Sequence, residues 1–582
     1  MAEDMLTANR HTLAHLLAAA VKEIYPHAKP TIGPAIDNGF YYDFDFSGGA
    51  MPGTDELPAI QAKMIELLPS WTSFERTDIS AAGAHTEFAD NQYKIELIDG
   101  LEKDGAEITL YTSGGFTDLC RGGHAEHPAA DIAPDSFMLD KVAGAYWRGD
   151  EHNAMLTRIY GLAFSSKTEL DTYITQREEA IKRDHRKIAR EQGLLVFSDL
   201  VGPGMPMYTP KGNIVRNAII GYSRELNERL GFGEVHTPNV NKAELFKISG
   251  HYDAYKEDML TVTSQYVSDE MFLKPMNCPQ HTQIYASAPR SYRDLPVRFA
   301  DFANLYRDER PGQLSGLTRL RAFAQDDGHI FCREDQVETE LLNVLQAVQD
   351  ALSTYQIDYW VRLSLRDSAK KEKYLGTDES WEQSQGQLRK VIESSGVKFK
   401  AVEGEAAFYA PKLDIMAVDA LGREWQISTI QVDRNMPGRF GLEYTAEDGT
   451  KKTPVMIHRA LIGSPDRFLG ILIEHYAGAF PLWLAPIHAK ILPVSERQID
   501  YAHDIATQLK AAGIRVEVSA DDSLGKRIRA SKVEKVPYIL VVGDQEIADG
   551  TATLEGREGK IGAFPISEII SRLQEEIKTR KA

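Results

Sequence analysis

The chain has 582 residues, which at roughly 100–200 residues per domain means about three to five domains rather than one core. A hydrophobic share of 43% with 26% charged residues excludes a disordered chain, no apolar run is long enough to span a bilayer, and the N-terminus lacks the basic-then-apolar pattern of a secretory signal. The net charge of -19 argues against nucleic acid as a partner of the surface as a whole. Phosphate binding is local, however, and two basic stretches, 177–190 and 526–535, are open to it beside the plainer reading of solvated helix faces. The three cysteines, Cys120, Cys278 and Cys332, build no disulfide framework and fit a reducing, cytoplasmic setting.

Region 1–163 opens with a helical pattern, HTLAHLLAAAVKEIY, and turns strand-rich in TIGPAIDNGFYYDFDF. His11 and His15, four apart on that helix, face the same way, and FTDLCRGGH sets Asp118, Cys120 and His124 close together. Two such groupings point to one polar cleft, although His11 taken alone reads as a core histidine. HTLAH lacks the Glu that HExxH metalloproteases use as a base. Region 164–191 is charged, has no Gly or Pro, and predicts a helical linker. Region 192–485 mixes strands with helices. In region 486–582, AKILPV, IRVEVSA and VPYILVVGD read as strands separated by helices, which implies parallel βαβ units in an α/β domain.

The richest stretch is LYRDERPGQLSGLTRLRAFAQDDGHIF, where Pro311, Gly312 and Gly316 mark a loop between two strand-like halves. Alternation in the second half predicts Arg319, Arg321, Phe323, Gln325, Asp327 and His329 on one face, with Leu320, Ala322, Ala324 and Ile330 opposite and Asp326 and Gly328 as exceptions. Arginine forks suit phosphate oxygens. Arg307 and Glu309 share parity before the loop, and Arg467 opens an apolar helical run after Gly463, Ser464 and Pro465, where a helix N-terminus favours anions. Cys278, His329 and His458 are candidate ligands for a metal with one open position, but their wide separation matches no short pattern and leaves them open to being unrelated.

KPMNCP, LYRDE, QDDGHIF, GREWQISTIQVD and HRALIGSPDRF together closely resemble the class II aminoacyl-tRNA synthetases, specifically their threonyl-tRNA synthetase branch, and the likeness covers nearly the whole chain. It implies a multidomain α/β fold: an N-terminal α+β editing domain (1–163), a helical linker (164–191), a class II catalytic domain of antiparallel sheet flanked by helices (192–485), and a C-terminal α/β anticodon-binding domain (486–582). The first family motif, at the dimer interface, resembles GYSRELNERLGFGEVHTPNV. The implied partners are threonine, ATP with Mg2+, tRNA(Thr) and a second copy of the chain, with no membrane.

Carried over residue by residue, Cys278, His329 and His458 bind one zinc ion per subunit. By the same resemblance Arg307 is expected to hold the α-phosphate and the carboxylate, Arg319 and Arg467 the β/γ-phosphates, and Glu309 to sit near the adenine. Asp327 and Tyr409 meet the substrate amino group; Gln325, Lys412, Gln426, Gln431 and Ser464 line the site with Met276 in its wall, and His251 assists transfer to the ribose. Gln426 and Tyr409 also admit ordinary strand packing. The resemblance further implies a hydrolytic site built on His11, His15, Asp118, Cys120 and His124, with Tyr42 and Lys94, in which side chains activate water without a metal, although the related alanyl editing domains hold zinc.

Zinc explains the selectivity, because threonine offers it both nitrogen and oxygen whereas the near-isosteric valine lacks the oxygen. Serine offers both and lacks only a methyl, worth about 1–3 kcal/mol, so a second sieve that clears Ser-tRNA(Thr) is expected. The ubiquitin-like domain that often precedes the editing domain is expected to be missing. In the last domain Glu546 fits the family pattern, but Glu555 stands where a basic residue is expected, with Arg557 two residues on. A non-enzymatic RNA-binding regulator and a free-standing deacylase are the competing readings.

Overall fold

Helix α1 (Ala2–Ile24) forms because Leu13, Leu16, Leu17 and Val21 recur at helical spacing, and all four are buried. They pack on β1 (Gly39–Asp45), whose alternate residues Phe40, Tyr42 and Phe44 share the covered face. Helix α2 (Gln92–Lys103) starts at Asn91, whose side chain accepts from the backbone of Tyr93 and Lys94, and it carries Lys94 into the interior. Strands β2 (Thr109–Ser113) and β3 (Phe116–Leu119) form a hairpin, and β1, β4 (Phe137–Tyr146) and β5 (Met155–Ala163) join as β1–β5–β4. The computed structural model describes residues 2–580 in two compact units, Met1–Glu178 and Glu179–Ala582.

The expected linker helix is two: α3 (Lys167–Arg183) ends, and α4 (His185–Glu191) begins at Asp184, whose carboxylate caps it by accepting from Arg186 N. Most of the basic residues here are spoken for, Arg183 by Glu179 and the His475 carbonyl and Arg186 by Asp184.

The second unit is built on α5 (Pro210–Arg229) and an eight-stranded sheet. Its strands are β6 (Gly233–Glu234), β7 (Val297–Asp301), β10 (Asp327–Cys332), β11 (Asp358–Leu365), β12 (Phe399–Glu403), β13 (Lys412–Val418), β14 (Glu424–Asp433) and β15 (Val455–Ala460). Two short strands, β8 (Asn304–Tyr306) and β9 (Ala322–Ala324), pair with each other outside it. The order is β6–β7–β10–β15–β14–β13–β11–β12, antiparallel throughout except for the two edge pairs. One face rests on α7 (Val337–Thr354), which buries Leu341, Val344, Leu345 and Val348; α6 (Cys278–Ala286) and α8 (Pro465–His475) complete the elements that frame the site.

The single strand expected through Arg319–His329 is thus broken. Ala322–Ala324 belongs to one sheet and Asp327–Cys332 to another. The chain switches at Asp326, whose N–H donates to the Gly463 carbonyl and whose fully buried carboxylate pairs with Arg459 at 2.8 Å. Arg321 leaves the expected row, its guanidinium donating to the Glu309 carbonyl.

The C-terminal sheet runs β17–β16–β18–β19–β20, with β16 (Ala489–Pro493), β17 (Val516–Val518) and β18 (Tyr538–Val542) parallel and β19 (Thr551–Gly556) and β20 (Gly559–Pro565) added as an antiparallel hairpin. Helix α9 (Ile499–Ala511), α10 (Leu524–Val533) and α11 (Ile566–Thr579) cover it. The basic stretch on α10 is largely engaged: Arg527 is buried and donates to the Pro493 and Ser519 carbonyls, while Lys532 pairs with Glu555 at 2.9 Å. That pairing accounts for an acid at 555. Arg557 donates to the carbonyls of Lys535, Ala479 and Phe480 and is spent on the fold.

His488 in this domain is fully buried, its Nδ1 accepting from Arg515 N, and burial beside Arg515 holds it down to about 3. The native state then keeps it neutral while the unfolded state takes a proton below the ordinary value of about 6.5. Stability from this group is complete above that value and falls as pH drops, by about 2 kcal/mol between pH 6.5 and 5. Chemical denaturation of wild type against His488→Gln should show a stability difference that shrinks over that interval; a constant difference would contradict it.

Candidate active site

Antiparallel register sets Phe299, His329, His458, Gln431 and Lys412 side by side across β7, β10, β15, β14 and β13. Within this row His329 Nε2 and His458 Nδ1 stand 3.0 Å apart. Cys278, at the start of α6, closes a triad whose three ligand atoms lie within 4.8 Å of one another, all buried. Burial, with Asp327 and Asp433 near, pushes the Cys278 thiol well above its ordinary value, and burial, with His458, His281 and Arg459 near, holds His329 well below. The sulfur can therefore carry charge only beside a cation, which is the chemistry of a metal ligand set and suits zinc in its one-sulfur, two-nitrogen donors. His458 Nε2 also meets Asp433 Oδ2 at 3.0 Å, the carboxylate support typical of metal-bound imidazole.

Beside the triad opens a cavity of about 430 Å³ lined by Arg307, Arg319, Phe323, Gln325, Ser464 and Arg467. A larger one of about 1140 Å³, lined by Met276, Tyr409, Lys412 and Gln431, shares Arg307, Glu309, Arg319 and Gln426 with it. Arg467 Nε has no hydrogen-bond partner, and burial with Arg319 and Arg307 nearby lowers its value. Like cations crowded together leave unmet demand for an anion, which phosphate oxygens satisfy. Ser464 Oγ caps α8 by accepting from Arg467 N at 3.3 Å, so the helix N-terminus points the same way. Glu309 pairs with Arg319 at 2.8 Å, and the Arg307 guanidinium lies over Phe323.

Tyr409 donates to Gln431 Oε1 at 2.7 Å and its ring lies 5.1 Å from that of His458. Asp327 is buried, and burial raises its value. His251 has no exposed surface: Nδ1 meets Ser249 Oγ at 2.8 Å, and Nε2 is 3.6 Å from Cys278 Sγ. Sequence reasoning overlooked three side chains. Asp414, fully buried, accepts from Lys412 at 2.9 Å, Gln426 at 2.8 Å and Arg362 at 3.1 Å, and so fixes two cleft residues. Asp433 and His281 flank the triad; His281, one helical turn after Cys278, was the one legible from spacing.

The first unit holds a separate cluster. Cys120 Sγ is 3.4 Å from His11 Nε2 and 3.3 Å from His124 Nε2, and His15 links His11 (3.2 Å) to Asp118 (2.9 Å). Asp118 also accepts from Tyr42 and Lys94, each at 2.5 Å. Gly122 and Gly123, at φ +91° and +86°, turn the chain so that His124 returns to Cys120; a Cβ at Gly122 would meet the Tyr111 hydroxyl at 2.6 Å. Burial opposes ionisation of Cys120, yet the imidazoles of His11, His124 and His15 packed around it bring it down to about 3. Burial likewise opposes the charge on His15, but Asp118 and Cys120 lift it to about 9. Lys94, Asp118, His15 and Cys120 thus alternate in sign. His11, His15, Cys120 and His124 also bring ligand atoms within 4.8 Å, close enough for a metal. A third such group, Asp184, His185 and Glu474, is structural, since both His185 nitrogens are engaged, by Glu474 and by Leu317 N.

A thiolate at neutral pH is testable. Alkylation of Cys120 by iodoacetamide should run at a nearly constant rate from pH 5 to 8, whereas an ordinary thiol speeds up about tenfold per unit below its value of about 8.5. A rate that climbs with pH would mean that the histidines do not hold the charge.

Residues 261–476 match the tRNA synthetase class II core domain (G, H, P, S and T), and residues 488–576 match the anticodon binding domain. The threonine–tRNA ligase of Thermus thermophilus is 45% identical over 99% of this chain and 90% of its own length, and that of Bacteroides fragilis 47% identical over 98% and 88%. This chain belongs to the threonine–tRNA ligase family. The RNA binding domain of the threonyl-tRNA synthetase from Cryptosporidium parvum superposes with a TM-score of 0.65 at 36% identity, covering 68% of this chain and 98% of its own. A putative threonyl-tRNA synthetase from Aeropyrum pernix gives 0.61 at 29% identity, covering 68% and 97%. The family assignment accounts for the class II architecture of the second unit. Among the described residues no helix is long and apolar enough to cross a membrane.

Proposed function

We propose that the chain is a threonine–tRNA ligase that activates threonine with ATP and transfers it to tRNA(Thr). The observation that carries this is the buried Cys278, His329 and His458 triad beside a cleft in which Arg307, Arg319 and Arg467 converge. Those three residues would hold zinc, which would supply a Lewis acid able to take both the amino nitrogen and the hydroxyl of threonine. Arg307 holds the α-phosphate and the substrate carboxylate, so that the carboxylate attacks in line. Arg319 and Arg467 hold the leaving phosphates, which enter with Mg2+. Asp327 and Tyr409 orient the amino group, and Gln325, Gln431, Ser464 and Met276 shape the walls. Asp414 keeps Lys412 and Gln426 in place. His251, whose Nε2 lies 3.6 Å from Cys278 Sγ, is read as the residue that assists transfer to the ribose.

The first unit is read as the hydrolytic sieve for Ser-tRNA(Thr). Burial, with His15 nearby, lowers His124 and leaves it neutral at pH 7, free to take a proton from water. His15 and Cys120 are fixed as a charged pair around it. The chain is read as a cytoplasmic homodimer; support comes from the exposed apolar run Val196, Phe197, Leu200 (99% exposed) and Val201, a surface suited to a second copy.

Pyrophosphate exchange with a panel of amino acids, run on metal-analysed full-length protein, tests the reading. Exchange should depend on threonine, reject valine, and accompany one zinc per chain; two would put an ion in the first unit as well. No exchange with threonine in metal-replete protein would refute the assignment.

A further inference from the structure

His281 has no exposed surface and none of the roles above uses it. Its Nδ1 lies 2.7 Å from His329 Nδ1, the nitrogen on the far side of the His329 ring from His458. His281 is therefore behind a ligand and outside the triad. Its other nitrogen, Nε2, has no hydrogen-bond partner and faces Asp301 Oδ2 at 3.8 Å. Asp301 Oδ2 accepts from the Thr237 hydroxyl at 2.7 Å, and Lys274 Nζ donates to that hydroxyl at 2.6 Å and to the Thr237 carbonyl at 3.1 Å. Thr237 and Asp301 are 2% exposed and Lys274 is fully buried.

The donors along it admit one direction. Two imidazole nitrogens in contact must share one proton, and either could carry it in the free chain. Once an ion takes His329 Nε2, the ring proton must sit on Nδ1, which then donates to His281 Nδ1. His281 is left with its proton on Nε2, aimed at the Asp301 carboxylate, whose charge Lys274 balances through Thr237. His458 has its own support in Asp433 by a hydrogen bond at 3.0 Å, whereas His329 has a second histidine behind it that faces Asp301 across 3.8 Å.

We propose that His281 is a positioning residue of the metal centre: by accepting the His329 Nδ1 proton it fixes the tautomer that turns Nε2 toward the ion, and the Asp301–Thr237–Lys274 chain holds His281 in that state. The inference rests on the metal reading above and goes beyond it in naming what sets ligand orientation. The competing view is a buried histidine that only fills space between α6 and the sheet.

The test uses full-length protein and zinc alone, with affinity measured by competition against a chromophoric chelator and cobalt substitution for ligand-field spectra. His281→Phe keeps the bulk and removes the acceptor; it should weaken zinc binding about 10–100-fold and shift the cobalt bands. His281→Gln restores an acceptor oxygen and should recover most of the affinity and the wild-type bands, which a space-filling role does not require. Melting of the metal-free forms separates packing from coordination. Thr237→Val, a mild change at the far end, should cost affinity severalfold and decides the matter if the Phe chain fails to fold. Wild-type affinity in His281→Phe, equal weakening in the Phe and Gln chains, or wild-type affinity in Thr237→Val would overturn the proposal. A wild-type chain that binds no zinc overturns the metal centre as well, so the two failures are distinguishable.

Discussion

In a His329→Ala chain, threonine-dependent pyrophosphate exchange is expected to fall about 10³-fold or more, with zinc dropping from one equivalent to near none. A Lewis acid in such a site is worth several kcal/mol, and each 1.36 kcal/mol is a factor of ten. The geometry makes His329 hard to replace. It sits centrally in the row, 3.0 Å from His458, and is 1% exposed. Cys278 is already pushed far above its ordinary value by burial with Asp327 and Asp433 near, and two remaining ligands give too little charge stabilisation to ionise it. ATP affinity should change little, because Arg319 and Arg467 line the neighbouring cavity, Arg319 paired with Glu309 and the Arg467 backbone N–H capped by Ser464, and neither depends on His329. Isothermal titration with ATP and metal analysis of the same preparation check both halves. Full retention of zinc and exchange would remove His329 from the centre, and joint loss of ATP binding would point to collapse of the sheet instead.

The parts of this fold that were legible in the sequence are those with local causes. Periodicity in HTLAHLLAAAV and the Ser464–Pro465 start of a helix each act over a few residues. The convergence of Cys278, His329 and His458 was not legible from spacing, because it depends on strand register across β10 and β15, and family resemblance had to supply it. Alternation misled at Asp326. A buried Arg459 pairing ends one strand and starts another there, and no rule of local polarity reports a partner 133 residues away. Asp414 escaped for the same reason, since its donors come from Arg362, Lys412 and Gln426 on three strands. Glu555 stands where a base is expected, and its partner Lys532 lies 23 positions earlier on α10, out of reach of any local pattern. The cluster at FTDLCRGGH fared better: two glycines at positive φ make a tight return, and residues close in sequence stay close in space.

Replacing Cys120 by alanine should leave threonine activation unchanged and slow the clearance of Ser-tRNA(Thr) about 10²-fold or more, the range for loss of a positioned proton-transfer group. Cys120 lies within the first unit, and the Cys278, His329 and His458 triad and Arg307, Arg319 and Arg467 within the second, so the substitution removes nothing from the proposed activation site. Its effect comes through charge. With the thiolate gone, His15 keeps Asp118 but loses one of its two anionic partners, and His11 and His124 each lose a hydrogen bond at 3.4 and 3.3 Å. The imidazoles then turn freely, and a neutral His124 no longer points at a fixed place. Cys120→Ser tests whether shape or charge matters: a hydroxyl keeps a hydrogen-bonding atom but stays protonated at neutral pH, so it should rescue little. Pre-formed Ser-tRNA(Thr) and Thr-tRNA(Thr), followed by acid-gel deacylation against wild type, give the comparison directly. Unimpaired clearance in the alanine chain would take Cys120 out of hydrolysis, whereas good rescue by serine would show that the cleft needs a polar atom there and not an anion.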